Sequence, residues 1–143
     1  MFKNTKKQGD AGIGIAVGWF AANGHTVAIP LTDSQDYDLV VDLDGLKRVQ
    51  VKTTTYKEPS GNFFVSLTVK GGNRSGKGKI KRFDSSRVDY IFIVTAAGEN
   101  YLIPANKCGQ TLTLNASIYG EFKLNGGVSK LVTETDCKSV AMC

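Results

Sequence analysis

The sequence predicts an α/β fold with a mixed central β-sheet. A helix is expected over about residues 10–22, after a short basic arm that ends at Gln8. Two β-rich runs meet at Asp44-Gly45, which is typical of a hairpin turn. Further β-rich runs follow the hairpin. This order of helix, hairpin and later strands favours an α/β domain in which parallel and antiparallel strands share one sheet.

The β-rich runs give the expected strands in chain order. They lie at about residues 26–30, 37–43, 47–55, 63–69, 88–94 and 100–104. Residues 105–143 are harder to interpret, with short strands expected from Thr111 to Leu114 and from Glu121 to Leu124. Glycines inside the first helix, Gly12 among them, lower its helix propensity. Small residues there indicate a close approach of the helix to the sheet or to a partner subunit.

Length and composition indicate one intracellular domain. A chain of 143 residues is long enough for one well-buried domain and short for two. The three cysteines are widely spaced and odd in number, which argues against a disulfide framework or a zinc site. No apolar run has the length of a membrane span, and no signal peptide is evident. We therefore expect reduced thiols, a cytoplasmic location and no membrane partner.

One face of the predicted hairpin is polar. Side chains alternate along a strand, so Gln50 and Lys52 point to one face while Val49 and Val51 point to the other. Packing explains two buried valines, but it does not explain an amide and an ammonium on the opposite face. Asp38 opens the neighbouring strand and is a candidate partner for both polar groups.

The length of the hairpin loop decides where Asp38 lies. A two-residue turn at Asp44-Gly45 would place Asp38 opposite Val51 on the apolar face, which is unfavourable for a charge. A three-residue loop from Asp44 to Leu46 pairs Asp38 with Lys52 instead, and such loops are common. We therefore expect the three-residue loop, with the acid, the amide and the ammonium on one face.

An acid at the start of one strand, with Gln-x-Lys on the next, resembles the catalytic hairpin of the PD-(D/E)XK nucleases. In that superfamily the position of Gln50 is usually a second acid. The run Val49-Gln50-Val51-Lys52 resembles one branch in particular, the group I intron-associated homing endonucleases. The resemblance covers about residues 8–105, with Gly9-Asp10, Asn23–Val27, Ile29–Leu31, Tyr37–Val40, Val88–Val94 and Tyr101–Pro104 at matching spacing.

The resemblance implies a fold, an activity and a set of site residues. The fold is a restriction-endonuclease-like core with helices flanking the mixed sheet and the catalytic hairpin at 37–55. One endonuclease domain would span residues 1–143, with a poorly defined part from 105 onward. The activity is sequence-specific cleavage of double-stranded DNA with Mg²⁺ or Mn²⁺. Asp38, Gln50 and the backbone carbonyl of Val51 would bind the metal, while Lys52 would orient water or neutralise the phosphate.

The first helix departs from the family pattern. The family commonly has a glutamate one turn after the Gly-Asp pair, where this chain has Ile13. Asp10 lies three residues earlier, on the same helix face, and is a candidate for the missing carboxylate. The alternative is that Asp10 only caps the helix by accepting hydrogen bonds from the amides of its first turn.

Basic residues are concentrated in one segment, residues 70–87, which we name the basic ribbon. It has seven basic residues and one acid, a net charge of +6 in a chain of net charge +5. Interleaved glycines and serines prevent it from burying a face, so we expect an extended ribbon that contacts DNA. The candidate DNA-binding residues are Lys70, Arg74, Lys77, Lys79, Lys81, Arg82 and Arg87.

Other functions remain open at the level of sequence. Ile13 and Gln50 would also suit a DNA-binding protein that keeps the nuclease fold without catalysis. A junction resolvase or a restriction-type nuclease would share the same hairpin. The single histidine, His25, excludes a ββα-metal nuclease site. Because each active site cuts one strand, we expect a homodimer or homotetramer.

Overall fold

One long helix precedes all the strands. The computed structural model describes residues 4–70 and 80–125, and its first element is α1, Thr5–Ala22. Asn4 caps this helix, since its side chain accepts a hydrogen bond from the Lys6 N–H at 2.9 Å. The predicted start near Asp10 is therefore wrong by five residues. The expected basic arm is helical from Thr5 onward, and Asp10 lies inside the helix instead of capping it.

Within the described residues, ten strands and a second, one-turn helix follow α1. The strands are β1 Val27–Ala28, β2 Leu39–Asp42, β3 Leu46–Thr54, β4 Phe64–Ser66, β5 Val69–Lys70, β6 Ile80–Lys81, β7 Tyr90–Thr95, β8 Asn100–Pro104, β9 Thr111–Thr113 and β10 Lys123–Leu124. The short helix α2 spans Ala116–Tyr119. Among these residues no helix is long and apolar enough to cross a membrane.

Six strands form the central sheet, in the order β1-β2-β3-β7-β8-β10. The β3–β7 pair in the middle is parallel, and the other four pairs are antiparallel. This confirms the predicted mixed sheet. The parallel pair requires a crossover between β3 and β7, and the β5–β6 hairpin at the base of the basic ribbon belongs to that crossover.

Helix α1 covers one face of the sheet. Ala16 and Phe20 are fully buried against Leu39, Val49 and Phe92. The helix lies so close to β3 that a Cβ on Gly12 would be 2.3 Å from Thr53 Cγ2. The expected close approach of the glycine-rich helix to the sheet is confirmed at this position.

The opposite face of the sheet is covered by β4 and β9, which form a separate two-stranded sheet. Val65, Leu67 and Leu112 pack there against Ile91 and Ile103. Residues 105–125, in the part of the chain that the sequence left undefined, thus complete this half of the core. The short strands expected near residues 111–114 and 121–124 are both present.

The β2–β3 hairpin has a three-residue loop, as expected, but one residue earlier than predicted. Asp42 pairs with Leu46, so the loop is 43–45 instead of 44–46. Asp44 and Gly45 have positive φ angles of 56° and 118°, and the Asp42 side chain accepts the Gly45 N–H at 3.0 Å. The register shift places Asp38 beside Gln50 instead of Lys52 and leaves every side chain on its expected face.

Candidate active site

Asp38 lies immediately before β2, and its position is fixed by the neighbouring strand. Its N–H donates to the Val49 carbonyl at 2.9 Å, and its Oδ2 accepts the Val51 N–H at 2.7 Å. Burial raises the pKa of Asp38, although the Val51 N–H and the Lys52 ammonium both favour the charged form. The carboxylate is therefore held in place in surroundings that favour an additional positive charge.

Lys52 lies on the same face, two residues beyond Gln50. Burial lowers the pKa of Lys52, and the attraction of Asp38 only partly opposes this. None of the four ion pairs found in residues 4–70 and 80–125 includes Asp38 or Lys52. The two charges influence each other without a direct contact, so both side chains remain free to interact with a third group.

Gln50 is the residue opposite Asp38. Its side-chain oxygen Oε1 is buried, and within the described part of the chain it accepts no hydrogen bond. The side chain borders a cavity of about 20 Å³, which is also lined by Asp36, Lys81 and Phe83. A buried carbonyl oxygen without a partner costs about 1–3 kcal/mol. A partner for this oxygen, from a bound group or from residues outside the described ranges, would remove that cost.

The backbone carbonyl of Val51 is also directed toward Asp38. The N–H and C=O of one strand residue point to the same side, and the Val51 N–H binds the Asp38 carboxylate. Strand β2 begins at Leu39, opposite Val49, so no strand residue of β2 faces the Val51 carbonyl. This oxygen lies on the side of β3 where the Asp38 carboxylate is located.

These oxygens fit a hard divalent cation. A carboxylate at Asp38, an amide oxygen at Gln50 and a carbonyl at Val51 are ligand types that Mg²⁺ and Mn²⁺ prefer. The unpartnered oxygen of Gln50 supports the fit. No group of three or more acidic, histidine or cysteine side chains suited to a metal occurs in residues 4–70 and 80–125. Asp38 supplies a carboxylate to this set of ligands, and water would supply the remaining ones.

The fold does not place Asp10 beside Asp38, Gln50 and Lys52. It is exposed and lies about half a turn from Gln8 and Gly12, which both face Thr53. Helix α1 packs on the face of the sheet opposite Asp38, and Ile13 packs into the core on that face. The capping role considered for Asp10 is excluded because Asn4 is the cap. A catalytic role for Asp10 stays a prediction.

Only part of the basic ribbon lies in the described residues. Lys81 and Arg87 both form ion pairs with Asp36, and Arg82 is exposed. Lys70 is the last residue of β5, and its side chain lies outside the described part of the structure. Arg74, Lys77 and Lys79 also lie outside it.

Asp36 is a functional candidate that sequence reasoning missed. It precedes Asp38 by two residues, a spacing that puts two side chains on one face of an extended chain. That spacing was the only signal in the sequence. Its partners Lys81 and Arg87 lie 45 or more positions further along the chain, so only the fold shows the contact.

Known proteins match this chain in sequence and in structure. The family model described as PD-(D/E)XK endonuclease matches residues 3–121. Among solved structures, the chain is similar to a bacterial homing endonuclease, I-Ssp6803I, at 27% identity and a TM-score of 0.67 over 78% of each chain. It is also similar to MepB at 12% identity and a TM-score of 0.40, over 96% of this chain and 95% of that one. No curated protein matches the sequence significantly.

These matches agree with the hairpin geometry. The matched segment includes α1, the β2–β3 hairpin and the parallel strand β7, which together position Asp38, Gln50 and Lys52. The similarity to I-Ssp6803I confirms the homing endonuclease resemblance and the restriction-endonuclease-like core that the run Val49–Lys52 indicated. Because the family model covers most of the sequence, the chain belongs to the PD-(D/E)XK endonuclease family.

Proposed function

We propose that this nuclease is a sequence-specific, metal-dependent endonuclease that hydrolyses phosphodiesters in double-stranded DNA. The observation that supports this most strongly is the convergence of Asp38, Gln50 and Lys52 on one sheet face, with the Gln50 oxygen buried and unpartnered. The chain belongs to the PD-(D/E)XK endonuclease family, whose catalytic hairpin these residues resemble, with Gln50 in place of the usual second acid. The similar protein I-Ssp6803I is a homing endonuclease, which supports a specific DNA target over general degradation.

In this proposal Asp38, Gln50 and the Val51 carbonyl hold Mg²⁺ or Mn²⁺. When bound, the metal lowers the pKa of a coordinated water and offsets charge on the phosphate. The Val51 N–H keeps the Asp38 carboxylate oriented toward the site. Since burial disfavours the Asp38 anion, an adjacent cation stabilises the charged form, and this links metal binding to ionisation of the carboxylate.

Lys52 acts on the phosphate. Hydrolysis joins a water oxygen to phosphorus, breaks the bond from phosphorus to one bridging oxygen, and transfers a proton to that leaving oxygen. The ammonium of Lys52 stabilises the negative charge that develops on the phosphate oxygens. Burial lowers the pKa of Lys52, so this side chain exchanges a proton nearer to neutral pH than an ordinary lysine does.

The proposed substrate also supports an assembly. One active site hydrolyses one strand at a time, so two copies would cut both strands of a duplex together. We therefore propose a homodimer or homotetramer of a single-domain chain. The basic ribbon supplies charge for the phosphate backbone. We also propose a cytoplasmic location.

A second candidate is a DNA-binding protein of the same fold without catalysis. The exposed position of Asp10, and the amide Gln50 where the family usually has a second acid, favour this alternative. A junction resolvase or restriction-type nuclease is the other alternative. Comparing cleavage of linear duplex with cleavage of a four-way junction distinguishes the resolvase from the endonuclease.

Cleavage of supercoiled plasmid with Mg²⁺ or Mn²⁺ tests the proposed activity. Asp38→Asn and Lys52→Ala should each lower the cleavage rate on the order of 10²–10⁴-fold, while affinity for duplex DNA measured by gel shift stays within a few-fold. Lys123→Ala is the control, because Lys123 lies on the far edge strand β10 and pairs with Glu99 at 2.7 Å.

The same assay decides the role of Asp10. If Asp10 supplies the carboxylate that the position of Ile13 lacks, Asp10→Asn will lower cleavage about 10²-fold without lowering the melting temperature. Wild-type cleavage by this variant would remove Asp10 from the site. A wild-type protein that binds DNA and cuts no plasmid with either metal would favour the non-catalytic alternative.

A further inference from the structure

One carboxylate holds two residues of the basic ribbon. Asp36 Oδ1 accepts a hydrogen bond from Lys81 Nζ, in β6. Arg87 Nε lies 2.6 Å from Asp36 Oδ2, close enough for an ion pair although the angle does not suit a hydrogen bond. We name these three residues the Asp36 cluster.

The cluster lies next to the candidate active site. Asp36 precedes Asp38 by two residues, and its side chain lines the same small cavity as Gln50 and Lys81. The Asp36 side chain is only 18% exposed, whereas Lys81 and Arg87 are 55% and 60% exposed. The anion is therefore mostly enclosed, whereas more than half of each cationic side chain is exposed.

Other contacts fix the C-terminal end of the basic ribbon. The Gln110 side chain accepts the Phe83 N–H and donates to the Phe83 carbonyl, both at 2.8 Å. Arg48 binds Asp89 through two nitrogens, at 3.1 and 3.2 Å. Arg48, in β3, also donates to the Ser86 carbonyl at 3.2 Å. The end of the basic ribbon is therefore attached at Asp36, just before the catalytic hairpin, and at Arg48 within it.

Charge alone does not explain why an acid is enclosed here. Asp36 reduces the positive charge of a segment whose excess favours DNA binding, so its presence lowers non-specific attraction to phosphates. What Asp36 adds is position. It holds an ammonium and a guanidinium beside the face that carries Asp38 and Gln50, and both cations still have hydrogen-bond donors free for a phosphate.

We propose that Asp36 is a positioning residue that aligns the DNA backbone with the active site by fixing Lys81 and Arg87 beside the catalytic hairpin. This inference rests on the proposed nuclease function. A phosphate bound by the two cations would lie at a fixed place relative to Lys52, so the neighbouring phosphodiester would enter the site in the correct position. Misplacement of reacting groups by about 1 Å costs on the order of 10²-fold in rate.

A positioning role predicts opposite effects of Asp36→Asn on binding and on cleavage. With a fluorescent random-sequence duplex, the dissociation constant should stay the same or decrease, because one negative charge is lost. Single-turnover cleavage of plasmid at saturating protein should slow about 10–10²-fold. Asp36→Glu should recover part of the rate. Asp33→Asn is the matched control, since Asp33 is exposed and has no ion pair with a described residue.

A double variant measures the coupling between Asp36 and the cation Lys81. Lys81→Ala should slow cleavage, and adding it to Asp36→Asn should give less than the product of the two single effects. Unchanged cleavage by Asp36→Asn would overturn the proposal. Equal losses of melting temperature, affinity and rate would show a structural role only and would overturn it too.

The proposal can be separated from the nuclease function itself. If the wild-type protein cuts no DNA, the nuclease function fails, and amide hydrogen exchange in the free protein then tests the cluster. Exchange at the Phe83 and Arg87 amides, which both bond within the fold, should be faster in Asp36→Asn than in Asp33→Asn. Equal exchange in the two variants would show that Asp36 does not hold the segment.

Discussion

Two half-buried charges define the site at the scale of single residues. Burial raises the pKa of Asp38 and lowers the pKa of Lys52, in spite of their mutual attraction. Both shifts mean that folding at neutral pH keeps charges in surroundings that favour the neutral forms. A free-energy cost of this kind, which no structural contact fully offsets, is typical of a functional site.

This cost predicts that Asp38→Asn stabilises the protein. A folded-state pKa above the unfolded value lowers stability as the pH rises through it, so the neutral amide, which can still accept the Val51 N–H, should raise the melting temperature at pH 7. The gain should shrink as the pH falls below the raised pKa of Asp38 and vanish below about 3.9. Thermal unfolding of both proteins between pH 3 and pH 8 measures it. A variant that melts lower than wild type at pH 7 would contradict the burial of this charge.

The sequence was sufficient to place Asp38, Gln50 and Lys52 on one face. Side chains alternate in strands, so any register with an odd-numbered loop gives this result, and the error of one residue in the loop position did not affect it. The loop position itself depends on the Asp42 side chain and on the positive φ at Asp44, which are properties of the folded turn. The Asp36 cluster depends on contacts between distant residues, which no local pattern contains.

At the scale of elements, helix α1 packs against β3 on the face of the sheet opposite Asp38. Gly12 faces Thr53, and Gln8 Nε2 donates to Thr53 Oγ1 at 3.3 Å. The neighbours of Thr53 on the other face include Lys52. A change in the distance between the helix and β3 therefore affects the position of the site.

We expect Gly12→Ala to destabilise the fold by about 1–3 kcal/mol, because its methyl group would overlap Thr53 Cγ2. Adding Thr53→Ser removes that methyl group, keeps the hydroxyl bonded to Gln8, and should restore most of the loss. Gly14→Ala is the control. Its Cβ would meet nothing within 4 Å, so it should stabilise the helix by up to about 1 kcal/mol. Urea unfolding of the wild type and the three variants tests the contact, and equal stability of Gly12→Ala and Gly14→Ala would contradict it.

The bounds that the sequence predicted least well are those of α1 and of the run at 63–69, which the structure divides into β4 and β5. Strands β9 and β10 have three and two residues, and they are ordered by pairing with β4 and β8. The start of α1 was missed because glycines weaken its helical signal, while the Asn4 cap stabilises a start five residues earlier. Long strands such as β3 and β7 were predicted well because their β-rich runs, alternating in β3 and continuously apolar in β7, are long enough to give a clear pattern.

For the whole molecule, charge is distributed unevenly around the active site. The basic ribbon has a net charge of +6 in a chain of net charge +5, so the remainder of the chain is slightly acidic. Both ends of the basic ribbon belong to the described structure. Lys70 pairs with Ile80 between β5 and β6, and Arg87 forms an ion pair with Asp36, just before the catalytic hairpin. DNA attracted to this charge would therefore be brought to the face that carries Asp38 and Lys52.

The salt dependence of DNA binding tests this arrangement. Each phosphate contact that is lost should reduce the slope of log affinity against log salt by about 0.9. Replacing Lys77, Lys79 and Lys81 with alanine should therefore flatten the slope by up to about 3 and weaken binding to all sequences equally. Changing Arg74 or Arg82 should instead weaken the discrimination between bases at particular positions by about 1–3 kcal/mol, because a guanidinium can bind guanine in two places.

The control for the salt dependence is Lys123→Ala, at the far edge of the sheet, which should keep the wild-type slope. If the triple-lysine variant also keeps it, the ribbon does not contact the duplex, and the cations of α1, Lys6 and Lys7, become the candidates for binding.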